Sequence, residues 1–247
     1  LRRSLHRPVG VVEAKLQEDN MVSCQQTRLV DLTHTIVPGE GARPIRIERV
    51  PAPEAVSEGL WYIMHRVEMP LNHVGTHIEA PYHVDPNGND VSQIPLEQLC
   101  GTAAVLDLTS VPAGGVATED DLRRAAEPAG GLHPGDIALL RFDYDYDAAH
   151  VRHFTAEAIG YLVSAGVKLV GTDLLGIELP AGDARLAEQY NHHQLMSAGI
   201  CLIEQLAHLN QLARPRVTVY ALPVPIKGLD SFPLRVVALE EREETRS

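Results

Sequence analysis

Apolar runs of strand length alternate along this chain with segments that have helical composition. The runs cover residues 103–108, 136–142, 167–172, 216–222 and 234–239. Short continuous apolar runs bounded by polar or turn-forming residues favour buried strands. Their alternation with helices is typical of an α/β fold rather than an all-β fold.

Two of the intervening segments carry clear signals for helix ends. Thr118 is a good N-cap, and the acidic residues 119–121 that follow it suit the positive end of a helix dipole. Thr155 is a second N-cap, and Gly166 lies where a helix that starts there would end. The sequence therefore predicts one helix that begins after Thr118 and another between Thr155 and Gly166.

The length and apolar content are those of one large domain. The chain has 247 residues, of which 45% are hydrophobic, and this is sufficient for a sizeable core. Residues 1–20 have neither a starting methionine nor a clear hydrophobic period. We interpret 1–20 as an N-terminal extension, either native and disordered or introduced for expression, and 21–247 as the domain.

The charge balance limits the partners. The chain has 21 Lys and Arg against 33 Asp and Glu, a formal net charge of −12, and no basic run with interleaved aromatic residues. This argues against nucleic acid as a partner. No apolar run is long enough to cross a bilayer, and no apolar signal region follows the N-terminal arginines. The sequence predicts a soluble, cytoplasmic protein that acts on a small molecule. Its three cysteines, Cys24, Cys100 and Cys201, are far apart in sequence and are predicted to be free thiols.

One segment concentrates the candidate chemistry: residues 73–83, HVGTHIEAPYH. Gly75 and Pro81 disfavour a regular helix, so we expect an extended chain. A fully extended run of this length would span roughly 33 Å, too long for a single site, so the segment must bend. Alternation in an extended chain places the odd positions on one face and the even positions on the other. The polar face would carry His73, His77, Glu79 and His83, and the core face would carry Val74, Ile78 and Tyr82.

The spacing His73-x3-His77-x-Glu79 can supply three metal ligands from one short stretch. Imidazole and carboxylate together suit zinc, manganese or ferrous iron. In a chain with 12 histidines, however, the same pattern also fits a hydrogen-bonded polar loop. The segment alone leaves both interpretations open.

A second cluster favours the metal. Residues 191–204 read as the end of a helix, a turn at Gly199, and a buried strand that finishes on Glu204. An unpaired carboxylate between Ile203 and Leu206 would be costly to bury, so Glu204 needs a cation. A salt bridge, or a turn of the chain onto the surface, is the alternative for Glu204 taken alone.

The chain resembles the cyclase family of metal-dependent hydrolases, to which bacterial kynurenine formamidase and isatin hydrolase belong. The hallmark HxGTHxDxPxH appears here as HVGTHIEAPYH. It is accompanied by VDLTHTI, PGDIALLRF, VGTD, HxxLMxxGIxLIE and FPLRVVALE in order along most of the chain after residue 21. The resemblance implies a single-domain swivelling β/β/α fold with a mixed sheet or barrel-like β core and flanking helices. It also implies a homo-oligomer, dimeric or tetrameric, with one or two divalent ions, Zn²⁺ or Mn²⁺.

The resemblance also assigns roles to residues. His73, His77 and Glu79 would hold a first metal, and Glu79 would reach a second metal held by His192 and Glu204. His83 would be the catalytic proton-transfer group.

One departure concerns Glu79, where the family usually has Asp. The additional methylene moves the carboxylate by about 1.5 Å, while metal–ligand bonds of about 2.0–2.2 Å tolerate little displacement. We therefore expect simple ligation by Glu79 rather than bridging, with one ion held tightly and a second weakly, or a preference for manganese. His192 is chosen over His193 by its motif position relative to Gly199, and His193 is expected on the surface.

The implied reaction is cleavage of the C–N bond of a small amide by metal-activated water. An aryl formamide such as N-formylkynurenine is the first candidate substrate, and an isatin-like lactam or a lactone is the alternative. A histidine can move a proton from water to the leaving nitrogen, and His83 is the candidate for this role. Trp61 and Tyr62, shortly before the hallmark, would form an aromatic wall or lid, or simply strand core.

Two other classes of protein fit parts of the pattern. His77, Glu79 and His192 could form the 2-His-1-carboxylate triad of a ferrous oxygenase. That interpretation assigns no role to His73, His83 and Glu204. A non-catalytic, metal-stabilised protein would be expected to have a closed Cys/His site, whereas this set is rich in carboxylates. No GxSxG segment supports a serine nucleophile.

Overall fold

The computed structural model describes residues 27–241, so the predicted extension at 1–20 lies outside the described part of the chain. The strands are β1 (Thr27–Asp31), β2 (Arg46–Val50), β3 (Met64–Glu68), β4 (His77–Glu79), β5 (Cys100–Asp107), β6 (Val116–Ala117), β7 (Ile137–Arg141), β8 (His153–Phe154), β9 (Leu169–Thr172), β10 (Cys201–Glu204), β11 (Arg216–Pro223) and β12 (Ser231–Glu241). The α-helices are α1 (Leu96–Leu99), α2 (Glu119–Ala126), α3 (Ala156–Ser164) and α4 (Tyr190–Met196). Between residues 27 and 241, no helix is long and apolar enough to cross a membrane.

Seven strands close into a mixed barrel. Their order is β12-β11-β5-β7-β9-β10-β4, and β4 pairs with β12 to complete the ring, while β1 extends β12 on the outside. The pairs β5–β7, β7–β9 and β9–β10 are parallel, and the other pairs are antiparallel. This confirms an α/β fold with a barrel-like, mixed β core.

Alternation along the strands produces two hydrophobic cores. Ile137 and Leu139 of β7 point to the cluster inside the barrel, whereas Ala138 and Leu140 point to the cluster beneath the helices. Leu122 of α2 and Ile159 of α3 belong to the second cluster. Because successive strand residues face opposite sides, one apolar run serves both cores, which explains why these strands read as continuous rather than alternating.

The helix signals in the sequence are confirmed. Thr118 caps α2 in a reciprocal capping box with Asp121. The Thr155 hydroxyl accepts a hydrogen bond from the N–H of Ala158 at 3.1 Å and so caps α3. Gly166, with φ of 71°, follows the end of α3 in the left-handed conformation that glycine adopts without steric cost.

A separate β-hairpin, β2 paired with β3, lies outside the barrel sheet. We call residues 46–68 the hairpin arm. Its apolar side chains are unusually exposed for their type: the relative exposure reaches 84% at Trp61 and exceeds 40% at several neighbours. The exposed members are Ile47, Leu60, Trp61, Tyr62, Ile63, Met64 and Val67.

Candidate metal centre

The hallmark segment bends as its sequence predicts. Gly75 has φ of 59°, and a Cβ atom there would lie 2.9 Å from Cγ1 of Ile36, so the position favours glycine on two grounds. The chain then forms β4 and turns at Pro81–His83 in a short 3₁₀ helix. Val74 and Ile78 are buried as expected, but the expectation for Tyr82 was wrong. Tyr82 is 39% exposed because the 3₁₀ turn ends the two-residue alternation.

Strand register brings the second cluster to the first. In the antiparallel pair β4–β10, His77 lies directly opposite Glu204, so the two side chains project from the same face. His77 Nε2 lies 3.5 Å from Glu204 Oε2 and 3.6 Å from Glu79 Oε1. His77 Nδ1 lies 2.8 Å from the carbonyl oxygen of Gly75, which accepts its proton and leaves Nε2 as the free acceptor. His77, Glu79 and Glu204 are all almost fully buried.

His192 reaches the same place from α4. Its Nε2 lies 3.5 Å from Glu79 Oε2 and 3.6 Å from Glu204 Oε1. On its other side, Nδ1 lies 2.6 Å from Glu178 Oε1, a residue that sequence reasoning missed. A carboxylate on the far nitrogen of a histidine is the usual outer partner of a metal ligand, because it fixes the ring and raises its basicity.

His73 and His83 lie at the more exposed edge of the cluster. His73 Nδ1 is 2.8 Å from Glu79 Oε1, and its Nε2 is 2.9 Å from Asp230 Oδ2. His83 Nδ1 lies 2.8 Å from the same Asp230 oxygen. Asp230 was also missed from the sequence, although it precedes the FPLRVVALE motif by two residues. The His73 and His83 rings are 4.9 Å apart.

The electrostatics of the buried residues indicate an excess of negative charge. Burial raises the pKa of Glu204, and the nearby charge of Glu79 raises it further. Burial opposes ionisation of Glu79, but the neighbouring imidazoles of His192, His73 and His77 hold its pKa well below the usual value. Burial also lowers the pKa of His192, but the carboxylates of Glu178, Glu204 and Glu79 outweigh this and raise it to about 11. The surroundings of His192 therefore favour a positive charge.

The pKa values at the exposed edge follow the same pattern. Burial lowers the pKa of His73, but the carboxylates of Glu79 and Asp230 raise it above the usual value. Burial raises the pKa of Asp230, but hydrogen bonds from His83, His73 and Asn72 outweigh this and lower it to about 2. Each carboxylate at this edge is therefore matched by hydrogen-bond donors.

The buried atoms fit a divalent cation. His77 Nε2 and Glu79 Oε2 are buried and make no hydrogen bond, although both belong to strongly polar groups. Buried polar atoms without a hydrogen bond are uncommon in folded proteins, and a bound cation would satisfy both of these. One donor atom from each of His77, Glu79 and Glu204 lies within 4.8 Å of the others, and so does one from each of His73, Glu79 and His83. Nitrogen and carboxylate oxygen are the donors that zinc and manganese accept.

A cavity of about 650 Å³ opens beside the cluster. His73 and Glu204 line one part of it, and Tyr146 and Arg43 line another. The Tyr146 hydroxyl lies 2.7 Å from His34 Nε2. His34 is thus a hydrogen-bond partner of Tyr146 at the edge of the cavity. The cavity has the size typical of a small-molecule site.

The structure puts Trp61 and Tyr62 on the hairpin arm. Both precede β3 and are exposed, so the interpretation as strand core was wrong. This stretch belongs to a separate two-stranded hairpin, whose side chains are part of neither hydrophobic core. Neither residue lines the cavity next to His73, and their role as an aromatic wall stays a prediction. His193 is exposed on α4, as expected for a surface residue.

Comparison with known proteins agrees with this geometry. The family described as "Putative cyclase" matches residues 30–179, more than half of the chain. The chain belongs to this cyclase family. Kynurenine formamidase from Geobacillus thermodenitrificans is 31% identical over 168 residues, which cover 66% of this chain and 74% of that protein. The Bacillus cereus kynurenine formamidase is 28% identical, with 67% of this chain and 75% of that protein covered.

Solved structures give the same result at the level of the fold. Isatin hydrolase A from Labrenzia aggregata, bound to benzyl benzoate, superposes with a TM-score of 0.76 and 26% identity, over 90% of this chain and 96% of that one. Isatin hydrolase A from Ralstonia solanacearum superposes with a TM-score of 0.73 and 25% identity, over 88% of this chain and 93% of that one. The cyclase-family protein described here is a metal-dependent hydrolase, and this assignment excludes the ferrous oxygenase and the non-catalytic alternatives.

Proposed function

We propose that this cyclase-family hydrolase cleaves the C–N bond of a small aryl formamide at a centre held by His73, His77, Glu79, His192 and Glu204. The observation that carries the proposal is the pair of buried atoms without hydrogen bonds, His77 Nε2 and Glu79 Oε2, facing a second buried carboxylate. The polar atoms that face them lie 3.5–3.6 Å away without forming a hydrogen bond, and a cation would satisfy both.

The arrangement supports one or two ions, with Zn²⁺ and Mn²⁺ as the candidates. The two oxygens of Glu79 face different groups, Oε1 towards His73 and His77 and Oε2 towards His192. This split supports a bridging role despite the longer side chain, which is more than the sequence led us to expect. When bound, a divalent ion polarises a carbonyl and activates water for attack at neutral pH.

The remaining residues hold the substrate and move protons. His83 is the proposed catalytic group: its ring lies 6.0 Å from that of His192 and is partly exposed, so it can take a proton from water and return it to the leaving nitrogen. Glu178 fixes the His192 ring by accepting its Nδ1 proton. Trp61 and Tyr62 remain proposed as an aromatic wall, supplied by the hairpin arm.

The substrate proposal can be tested with purified protein loaded in turn with zinc and manganese. N-formylkynurenine and a simple aryl formamide should be hydrolysed, and isatin should be hydrolysed slowly or not at all. If isatin turns over faster than either formamide, the lactam alternative replaces the formamide. That alternative has specific support, since isatin hydrolase A structures superpose on nearly the whole described fold.

We also propose that the enzyme is a homo-oligomer and acts in the cytoplasm. The exposed apolar residues of the hairpin arm support association, because patches of this kind usually mark a protein interface. The unpaired thiols of Cys100 and Cys201 support a reducing compartment. Light scattering of the purified chain gives the oligomeric state, and a monomeric mass at micromolar concentration would contradict the first proposal.

A further inference from the structure

The side chain of Asp230 makes three polar contacts, and the partner atom in each can donate a hydrogen bond to it. Its Oδ2 lies 2.9 Å from His73 Nε2 and 2.8 Å from His83 Nδ1. Its Oδ1 accepts a hydrogen bond from Nδ2 of Asn72 at 2.6 Å. A carboxylate offers acceptors on both oxygens, whereas an amide of the same shape offers only one acceptor. The position is therefore matched to Asp and not to Asn.

The backbone fixes this carboxylate relative to the hallmark segment. The carbonyl oxygen of Asp230 accepts a hydrogen bond from the N–H of Ala80 at 2.8 Å. The next residue, Ser231, starts β12 and is paired with Glu79 across the barrel closure. Asp230 is thus held beside the metal cluster by the sheet itself, and its side chain needs no loop movement to reach both rings.

One consequence concerns the protonation pattern of His83. A carboxylate on Nδ1 requires that nitrogen to carry the proton, so the neutral ring has Nε2 as its free acceptor. We infer that Asp230 is a positioning residue, which holds His83 in the Nδ1–H form and ties its ring to His73 through one shared oxygen. The inference rests on the proposed role of His83 in proton transfer. A proton-accepting Nε2 is what a general base needs in the resting enzyme.

The first test reads the tautomer directly, without activity. In ¹⁵N-labelled full chain, observed with zinc bound and after its removal, long-range ¹H–¹⁵N correlation should show His83 with its proton on Nδ1. Asp230→Asn should shift His83 towards the Nε2–H form. Asp145→Asn is the matched control, since Asp145 accepts from Nδ1 of His150 at 2.9 Å on an exposed loop. The control should leave the His83 signals unchanged.

The second test uses kinetics on the metal-loaded enzyme. Asp230→Asn should lower kcat by at least about 10-fold and by no more than the roughly 10²–10⁴-fold expected for removing the base itself. KM should change by less than about 3-fold, since His83 acts on the proton. In a His83→Ala background the same substitution should have little further effect, because the two residues act as one unit.

Three outcomes would overturn the inference. The first is an unchanged His83 tautomer in Asp230→Asn. The second is a kcat loss that bound metal content explains completely, which would place the action of Asp230 on His73. The third is full additivity with His83→Ala. If Asp230→Asn fails to fold, Asn72→Ala provides the same test with a smaller expected effect, since it removes the hydrogen bonds of the amide to Oδ1 of Asp230 and to the carbonyl oxygen of Ser231 and leaves both imidazole contacts to Oδ2 in place.

The test also separates this inference from the proposed function. If His83→Ala keeps full activity while Asp230→Asn still shifts the His83 tautomer, the proton-transfer role fails although the hydrogen-bond geometry holds. That result would overturn Asp230 as a positioning residue for catalysis. If the tautomer stays fixed while His83→Ala is inactive, only the inference about Asp230 fails.

Discussion

The two halves of the candidate centre are held by different kinds of structure. His77, Glu79 and Glu204 project from paired strands β4 and β10, and each is at most 6% exposed. His73 and His83 lie in the bends on either side of β4, with side-chain exposures of 15% and 31%. We call the first set the buried half and the second, with Asp230, the rim half. Strand pairing leaves the buried half little freedom, while the rim half stays open to water and substrate.

The halves also differ in how their charge is balanced. The buried half contains two carboxylates close together, and the pKa of Glu204 is raised by burial and by the charge of Glu79. In the rim half, the single carboxylate of Asp230 is shared by two imidazoles and an amide. The buried half therefore carries an excess of negative charge, which suits a cation, whereas the carboxylate of the rim half is matched by hydrogen-bond donors. Metal binding should therefore depend mainly on the buried half, with His73 as a further proposed ligand from the rim half, and proton transfer should depend on His83.

The largest expected effect is that of His77→Ala in the buried half. Removing this imidazole should reduce bound metal to a small fraction of the parent value. Activity should then fall by more than the ~10⁴-fold upper end of acid–base catalysis, because the ion supplies more than proton transfer. Elemental analysis and turnover are measured on the same sample. His193→Ala, an exposed histidine on α4, is the matched control and should retain both metal and activity. Full metal content in His77→Ala would contradict the division into halves.

The next effect is that of His83→Ala in the rim half. Turnover should fall by about 10²–10⁴-fold while metal content stays near the parent value, since His83 moves protons and is not a proposed ligand. Loss of the metal in this variant would make His83 a ligand, a possibility that its grouping with His73 and Glu79 raises directly. Retention of both metal and full activity would remove His83 from the mechanism.

A smaller effect is expected at Glu178, which contacts the centre only through His192. Glu178→Gln keeps an acceptor oxygen but removes the charge next to Nδ1 of His192. Metal affinity should fall by about 10–100-fold, as is usual for the outer hydrogen-bond partner of a ligand. Competition with a chelator of known affinity measures this. An unchanged affinity would show that His192 does not bind the metal through its other nitrogen.

The smallest effect on the fold is expected in the hairpin arm, whose two strands pair with each other and not with the barrel sheet. Trp61→Ala should change the free energy of unfolding of one chain by less than about 0.5 kcal/mol, since the side chain is exposed. The same variant should weaken association if the arm is an oligomer interface. Chemical unfolding measures the change in stability, and sedimentation at several concentrations measures the change in association. A large loss of stability at a concentration where the chain is monomeric would mean that the arm packs on its own barrel.

The sequence was sufficient for the buried half because residue type and local spacing carry the signal there. His77 and Glu79 lie in one motif, and Glu204 was found because a carboxylate at the end of an apolar strand needs a partner. Asp230 was missed because its partners are remote in sequence: His83 and Asp230 are 147 residues apart. The argument used for Glu204 also applies to Glu178, which lies in the apolar stretch LLGIELP, and could have found it.

For the fold, continuous apolar runs predicted the barrel strands, and N-cap residues predicted where α2 and α3 begin. Closure of the barrel was not visible in the pattern, because β4 has only three residues and its pairing with β12 depends on tertiary contacts. The arm around Trp61 was misread for a related reason. Apolar content predicts burial only when the strand joins the main sheet, and hydrophobic pattern alone does not specify which strands pair.

Thermal unfolding of the metal-stripped chain, with and without added zinc or manganese, tests the central claim most directly when Glu204→Gln is compared with the parent. At an ion concentration about 100-fold above Kd, the parent should gain about 2.7 kcal/mol. For a chain of this size that corresponds to a rise of roughly 5–10 °C in Tm. Without metal, Glu204→Gln should unfold at a higher temperature than the parent, because one of two adjacent buried charges is gone, and added metal should raise its Tm much less. The claim that the buried half is a cation site would be contradicted if neither ion raised the Tm of the parent, or if added metal raised the Tm of Glu204→Gln by as much as that of the parent.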